Sequence, residues 1–157
     1  MKIVDVIIPQ AVCVDLKAKT KDEALSELVD LLVKSGGIKS SEKSSILTKL
    51  KEREVLGSTG IGKGVGIPHA KCSSIKKMVA ALGVSKNGVD FKSLDGEMTY
   101  IFFLLVAPGD TPGPHLKALA RISRLLDDKF IRERLRAGKS AKEMLKILED
   151  EDKKFPQ

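Results

Sequence analysis

Aromatic side chains are scarce in this chain: no tryptophan, one tyrosine and five phenylalanines among 157 residues. Its core must therefore be aliphatic, and it has few of the flat rings on which unpaired bases stack. Cysteine is scarce as well. Cys13 and Cys72 form no C-x-x-C pair, which argues against a disulfide scaffold and against a zinc module. Long hydrophobic runs are missing: Ile101–Ala107 falls far short of the ~20 residues a membrane helix needs. Met1–Pro9 is short and carries Lys2 and Asp5, so it does not read as a secretory signal. Together these absences lead to the expectation of a reducing, cytoplasmic setting. There are two histidines, His69 and His115. They lie far apart, without cysteine or carboxylate at ligand spacing, which makes a poor metal site.

What is present is an ordinary globular mixture, 42% hydrophobic and 31% charged. The length suits one domain over residues 1–157, large enough to bury about 68–70% of its unfolded surface. Lysine and arginine number 28 against 21 acidic residues, a net charge of +7. That balance favours an acidic protein face, a phosphate-bearing ligand, nucleic acid or a membrane surface, and selects none of them.

The most constrained segment runs Gly57-Ser58-Thr59-Gly60-Ile61-Gly62-Lys63-Gly64-Val65-Gly66-Ile67-Pro68-His69-Ala70-Lys71. Its glycines strip side chains from a long piece of backbone and permit positive φ. Exposed amides of such backbone make concave anion sites. The run nearly matches a P-loop, but Gly64 stands where a magnesium-binding Ser or Thr belongs, and the element before it reads as a helix. A dinucleotide fingerprint starting at Gly62 fails because Ile67 occupies its third glycine position. The remaining reading is a long loop of tight turns. Ile61, Val65 and Ile67 anchor it, and Pro68 stiffens the approach to one imidazole.

Val12–Leu16 reads as a short strand. Thr20 and Glu23 form a capping box ahead of a helix with Leu25, Leu28, Val29 and Leu32 on one face, ended by Gly36-Gly37. A second helix spans Ser41 to about Arg53. Strands are expected at Met78–Val84, at Val89–Phe91 after a turn at Lys86-Asn87-Gly88, and at Thr99–Val106. The rest is helical. Leu116, Leu119, Ala120, Ile122, Leu125 and Leu126 form one apolar face, followed by helices over Asp128–Arg136 and from Ser140, and by a fraying tail from Glu149. The order β-α-α-β-β-β-α-α-α points to an α/β fold with a mixed sheet between helical layers.

A neutral imidazole titrates near pH ~6.5 and is a nucleophile. His69 could thus attack a phosphoryl donor and carry the group covalently. Local stabilisers of the added charge are Arg53, the Ser58 and Thr59 hydroxyls, and loop amides such as that of Gly60. His115 follows Thr111-Pro112-Gly113-Pro114, a helix-start signal. Two readings stand for it: a donor to a phosphate on His69, or a member of the apolar stripe of its helix. Basic residues from Lys117 to Lys142 crowd the last third of the chain. A solvated face, a dock for an acidic protein and nucleic-acid binding are ranked in that order, since no aromatic residues interleave and no recognition-helix motif appears.

Arg53-Glu54-x-x-Gly57-Ser58-Thr59-Gly60-Ile61-Gly62-x-Gly64-Val65-x-Ile67-Pro68-His69 resembles the active-site segment of phosphotransferase-system IIA domains of the mannitol/fructose class. His115-Leu116-Lys117-x-Leu119-Ala120-Arg121-x-x-Arg124-Leu125-Leu126 resembles that family's second-histidine helix. The resemblance implies a three-layer α/β/α sandwich on a mixed sheet, and it implies no metal and no organic cofactor. It implies that His69 accepts a phosphoryl group from a phosphorylated HPr-type carrier, with His115 in support, Arg53 as the nearby cation and Ser58 in the phosphate-facing loop. Onward partners would be a IIB component in sugar-specific members, or a regulated target protein in nitrogen-type members. Ile131–Ala137 and Ser140–Leu148 look more like the nitrogen type. One departure is Gly66, where the family often carries Ala; a looser loop is the expected consequence.

Overall fold

The computed structural model describes residues 1–110 and 112–156. Its sheet is organised around strand β6, Thr99–Pro108, in which every residue except Tyr100 is buried. A strand this apolar must be covered on both faces, and it is. Phe102, Leu104 and Val106 point into one cluster with Ala24, Leu25, Leu28, Leu32, Ile46 and Leu50. Ile101, Phe103 and Leu105 point into the other with Ala118, Ile122, Leu125, Leu135, Met144 and Leu148. The first cluster is covered by helices α1 (Lys21–Lys34) and α2 (Lys43–Val55), the second by α3 (Pro112–Leu126), α4 (Lys129–Arg136) and α5 (Ala141–Asp152). The result is the expected α/β/α sandwich.

The sheet is mixed. Strand β1 (Ile7–Cys13) pairs in parallel with β5 (Val79–Val89), which runs antiparallel to β6. On the other side of β6 lie β3 (Val65–Gly66) and β4 (His69–Cys72), both parallel to it, with β2 (Gly60–Gly62) outside β3. The first strand is thus earlier than the expected Val12–Leu16, and it accommodates Pro9 because it is an edge strand. The expected turn at Lys86-Asn87-Gly88 is instead a register shift within one strand, between Val84 and Val89. Gly88 takes φ 84, and its amide is held by Ser85 Oγ at 3.0 Å. Val89–Phe91 is therefore not a separate strand. The glycine run is not one long loop either: it contributes β2, β3 and the start of β4.

Local signals fix the helix ends. Thr20 caps α1 in a reciprocal capping box with Glu23, and Gly36 at φ 81 ends that helix. Asp128 caps α4 by accepting from the Phe130 and Ile131 amides. Thr111, part of the expected start of α3, lies outside the described residues. The apolar face of α3 differs from expectation: Ala118 is buried, while Leu116 is 66% exposed and Ala120 is exposed.

The tail does not fray at Glu149, since α5 continues to Asp152. Asp152 is buried and accepts from the Ile3 amide at 2.7 Å and from Arg121 Nε at 2.6 Å. The same guanidinium donates to the Asp152, Phe155 and Pro156 carbonyls, and Arg124 stacks over the Phe155 ring. Much of the basic crowd is thereby occupied within the molecule. Arg132 holds the Leu126 and Asp127 carbonyls, and Arg136 lies 3.6 Å over the Tyr100 ring. Among the described residues no helix is long and apolar enough to cross a membrane.

Candidate functional site

The glycine segment places His69 by folding as a strand pair. Gly62, Lys63 and Gly64 all take positive φ (98, 59 and 79), which turns the chain between β2 and β3. The Lys63 amide is held by Asp95 Oδ2 at 3.0 Å. Gly60 needs to be glycine for a different reason: a Cβ there would come within 3.0 Å of Ser93. Returning along β6, the chain brings Val65 opposite Ile101 and His69 opposite Leu105. Pro68 donates nothing to the sheet, but its carbonyl accepts the Leu105 amide at 3.0 Å. His69 thus opens a short strand registered on the most buried strand of the fold.

His69 Nδ1 lies 2.8 Å from the Ile67 carbonyl. A carbonyl oxygen only accepts, so Nδ1 carries the hydrogen and Nε2 keeps its lone pair. Burial pushes the His69 pKa below its ordinary value; the Ile67 carbonyl opposes this in part, and smaller effects follow from Arg53, which lowers it, and Glu54, which raises it. The ring is therefore neutral at neutral pH.

His115 is in the first turn of α3 and only 5% exposed. It belongs to the buried stripe and also meets His69, with ring centroids 5.4 Å apart and planes at 71°. Burial, then the neighbouring His69 and Lys71, lower its pKa to about 4. Its Nε2 is buried and finds no hydrogen-bond partner among the described residues. Such an atom is costly to leave unpaired.

The two histidines open into a pocket of about 350 Å³ lined by Lys49, Arg53, Ala70, Lys71, Leu116 and Leu119 as well. Arg53 Nη1 also donates to the Gly57 carbonyl at 2.8 Å. Lys49 and Lys71 are cations that the sequence reading had not assigned; Lys71 follows His69 by two residues on the same strand face. A larger groove of about 790 Å³ lies between β1 and α5, near Pro9, Ser140 and Leu145. It contains no histidine, so the pocket that holds both imidazoles is the better candidate.

Ser58, Thr59 and Gly60 do not line that pocket. Ser58 Oγ donates to the Phe91 carbonyl and accepts from the Gly60 amide. Thr59 is 3% exposed, and both its amide and its hydroxyl are given to the Glu54 carboxylate. These residues brace the loop; their polar groups are already committed. Gly66 does not loosen the segment: it is buried in β3 opposite Phe102, and a Cβ there would press to 3.2 Å from Thr99 Cγ2. Among the described residues no group of three or more His, Cys, Asp or Glu could hold a metal ion.

Residues 6–151 match the family described as "Phosphoenolpyruvate-dependent sugar phosphotransferase system, EIIA 2". The chain is 37% identical over 148 residues to a nitrogen regulatory protein of Bradyrhizobium diazoefficiens, covering 94% of this chain and 95% of that one. It is 35% identical over 153 residues to the fructose-specific EIIABC component of Bacillus subtilis, covering 98% of this chain and 24% of that longer protein. The crystal structure of nitrogen regulatory protein IIA-Ntr from Neisseria meningitidis superposes with a TM-score of 0.85 at 29% identity, over 93% of this chain and 98% of that one. A lone-pair imidazole registered on the central strand, a second buried imidazole against it and a family match across nearly the whole length agree: this chain belongs to the EIIA type 2 family of the phosphoenolpyruvate-dependent phosphotransferase system.

Proposed function

We propose that this chain is a phosphocarrier whose His69 accepts a phosphoryl group from a phosphorylated HPr-type protein. The observation that carries this reading is the Nδ1 contact with the Ile67 carbonyl, which leaves Nε2 as the nucleophile. The Nε2 lone pair forms the new N–P bond as the N–P bond of the donor phosphohistidine breaks, and the donor ring takes back that electron pair. Nδ1 keeps its hydrogen on Ile67. The phosphoryl oxygens bring negative charge into a pocket edged by Lys49, Arg53 and Lys71, where fixed cations stabilise it without reorganisation. His115 donates from Nε2 to a phosphoryl oxygen, which satisfies the atom that otherwise lacks a partner.

Nitrogen-type regulation is the favoured role, because the nitrogen regulatory relative matches end to end. A sugar-specific role, with transfer onward to a IIB component, is the second reading; the similarity to a fructose-specific component favours it. A cytoplasmic location belongs to both, since both draw on a carrier charged by phosphoenolpyruvate. The test is intact mass after incubation with phosphoenolpyruvate, enzyme I and an HPr-type carrier. An acid-labile gain of one phosphoryl group, lost in His69→Ala, is expected. Undiminished labelling of that variant, or no labelling of wild type by any carrier, overturns the proposal. Adding IIB proteins then separates the two roles: onward transfer marks the sugar reading, and retention the regulatory one.

A further inference from the structure

The geometry points to Glu54 as a positioning residue for His69, acting through Thr59 and Ile67. This inference rests on the reading of His69 as phosphoryl acceptor. Glu54 is the penultimate residue of α2 and only 8% exposed. Its carboxylate accepts from the Thr59 amide at 3.1 Å and from the Thr59 hydroxyl. The Thr59 carbonyl accepts the Ile67 amide at 2.9 Å, and the Ile67 carbonyl holds His69 Nδ1 at 2.8 Å. A continuous line of hydrogen bonds thus runs from the end of α2, across the β2 strand entry, to the imidazole. Its last link decides which nitrogen carries the hydrogen.

Lys21 completes the device. Its ammonium lies 2.7 Å from Glu54 Oε1 and 4.8 Å over the Phe91 ring. The carboxylate that braces the loop is thereby paired with a cation inside the fold. Buried charge is tolerated when it is paired and hydrogen-bonded in this way. If the carboxylate is removed, Thr59 loses both its anchors. The Ile67 peptide then loses a fixed partner, and the His69 hydrogen is free to move from Nδ1 to Nε2, the nucleophilic position.

Two readouts test this: the His69 tautomer, from long-range proton–nitrogen correlations of the neutral imidazole, and the rate of phosphorylation. Wild type is expected to show Nδ1 protonated and Nε2 unprotonated. Glu54→Ala is expected to show a tautomer mixture and a rate lower by about ten- to a hundredfold, the scale of a displaced reacting group. Glu54→Gln keeps a carbonyl for the Thr59 amide and should recover most of that loss. A merely structural role is separated by Leu148→Ala, in the opposite helical layer, which should lower the unfolding midpoint and leave the tautomer unmoved. A folded Glu54→Ala with wild-type tautomer and rate overturns the proposal. If that variant does not fold, Thr59→Val supplies the same two readouts, and an unchanged tautomer and rate there overturn it as well. A changed tautomer in a protein that accepts no phosphoryl group would sink the phosphocarrier reading and leave the relay standing.

Discussion

His115 should make the protein acid-sensitive in a way one substitution removes. Its pKa is lowered from 6.5 to about 4, first by burial, then by His69 and Lys71. At 5% exposure it is little screened by solvent. Because the folded value lies below the unfolded one, the unfolded chain takes up the proton first as pH falls. The stabilisation is full above the unfolded pKa and is lost progressively below it, until the folded imidazole also protonates near pH 4. Each pKa unit is worth about 1.4 kcal/mol, so the complete effect is about 3 kcal/mol. Between about pH 7 and about pH 5 the loss from this residue alone is about 2 kcal/mol by linkage. Urea unfolding at the two pH values, for wild type and His115→Gln, gives the number as a difference of differences, in which the other titrating groups largely cancel. A wild-type loss that exceeds the variant's by less than about 0.5 kcal/mol would refute the argument, and with it the placement of a neutral His115 against His69.

Phosphoryl acceptance should stay flat as pH is lowered to about 6.5, the ordinary imidazole value, and fall only below it, since burial and Arg53 depress the His69 pKa; a rate profile with a midpoint above that value would contradict the site. Gly64→Ala should cost about 1–2 kcal/mol, the penalty of a left-handed residue, because Gly64 sits at φ 79 with its missing Cβ aimed 3.3 Å from Tyr100 Cδ2. An unchanged thermal midpoint would refute the turn between β2 and β3. Phe103→Ala should cost about 3–5 kcal/mol in urea unfolding, since Phe103 is fully buried between β6 and α3–α5. A cost below about 1.5 kcal/mol would remove it from the core.

Elements whose signal is local were legible in the sequence. Thr20 with Glu23 marks α1, Asp128 and Ser140 start their helices, and the apolar Thr99–Val106 marks the central strand, because capping and burial act through neighbouring residues. The glycine run is not legible in this way, for the opposite reason. Ile61, Val65 and Ile67 alternate with glycines at strand period, but glycine carries no preference for strand, and the pairing that decides it comes from β6, far along the chain. Gly88 looked like a turn signal for the same cause: only the partner strand reveals that it makes a bulge. At the site, His69, His115 and Arg53 are named from chemistry written in their residue type, and the structure brings the three to one pocket. Ser58 and Thr59 read as charge stabilisers because hydroxyls in a glycine loop suit phosphate. Nothing in the sequence says that Phe91 and Glu54 already occupy them. Lys49 and Lys71 could have been found by asking which cations lie one helical turn before Arg53, or two residues after His69.

The clasp around Arg121 has a mechanical consequence. Ile3 and Pro156 are tied to the same arginine–aspartate pair, so the first and last turns of the chain meet at one point on α3, the helix that bears His115. A pull applied through the two ends loads this clasp before it reaches the sheet, and must peel the tail from α3 before any strand of the sheet separates. The same proximity means that a short covalent link between the ends would span little distance.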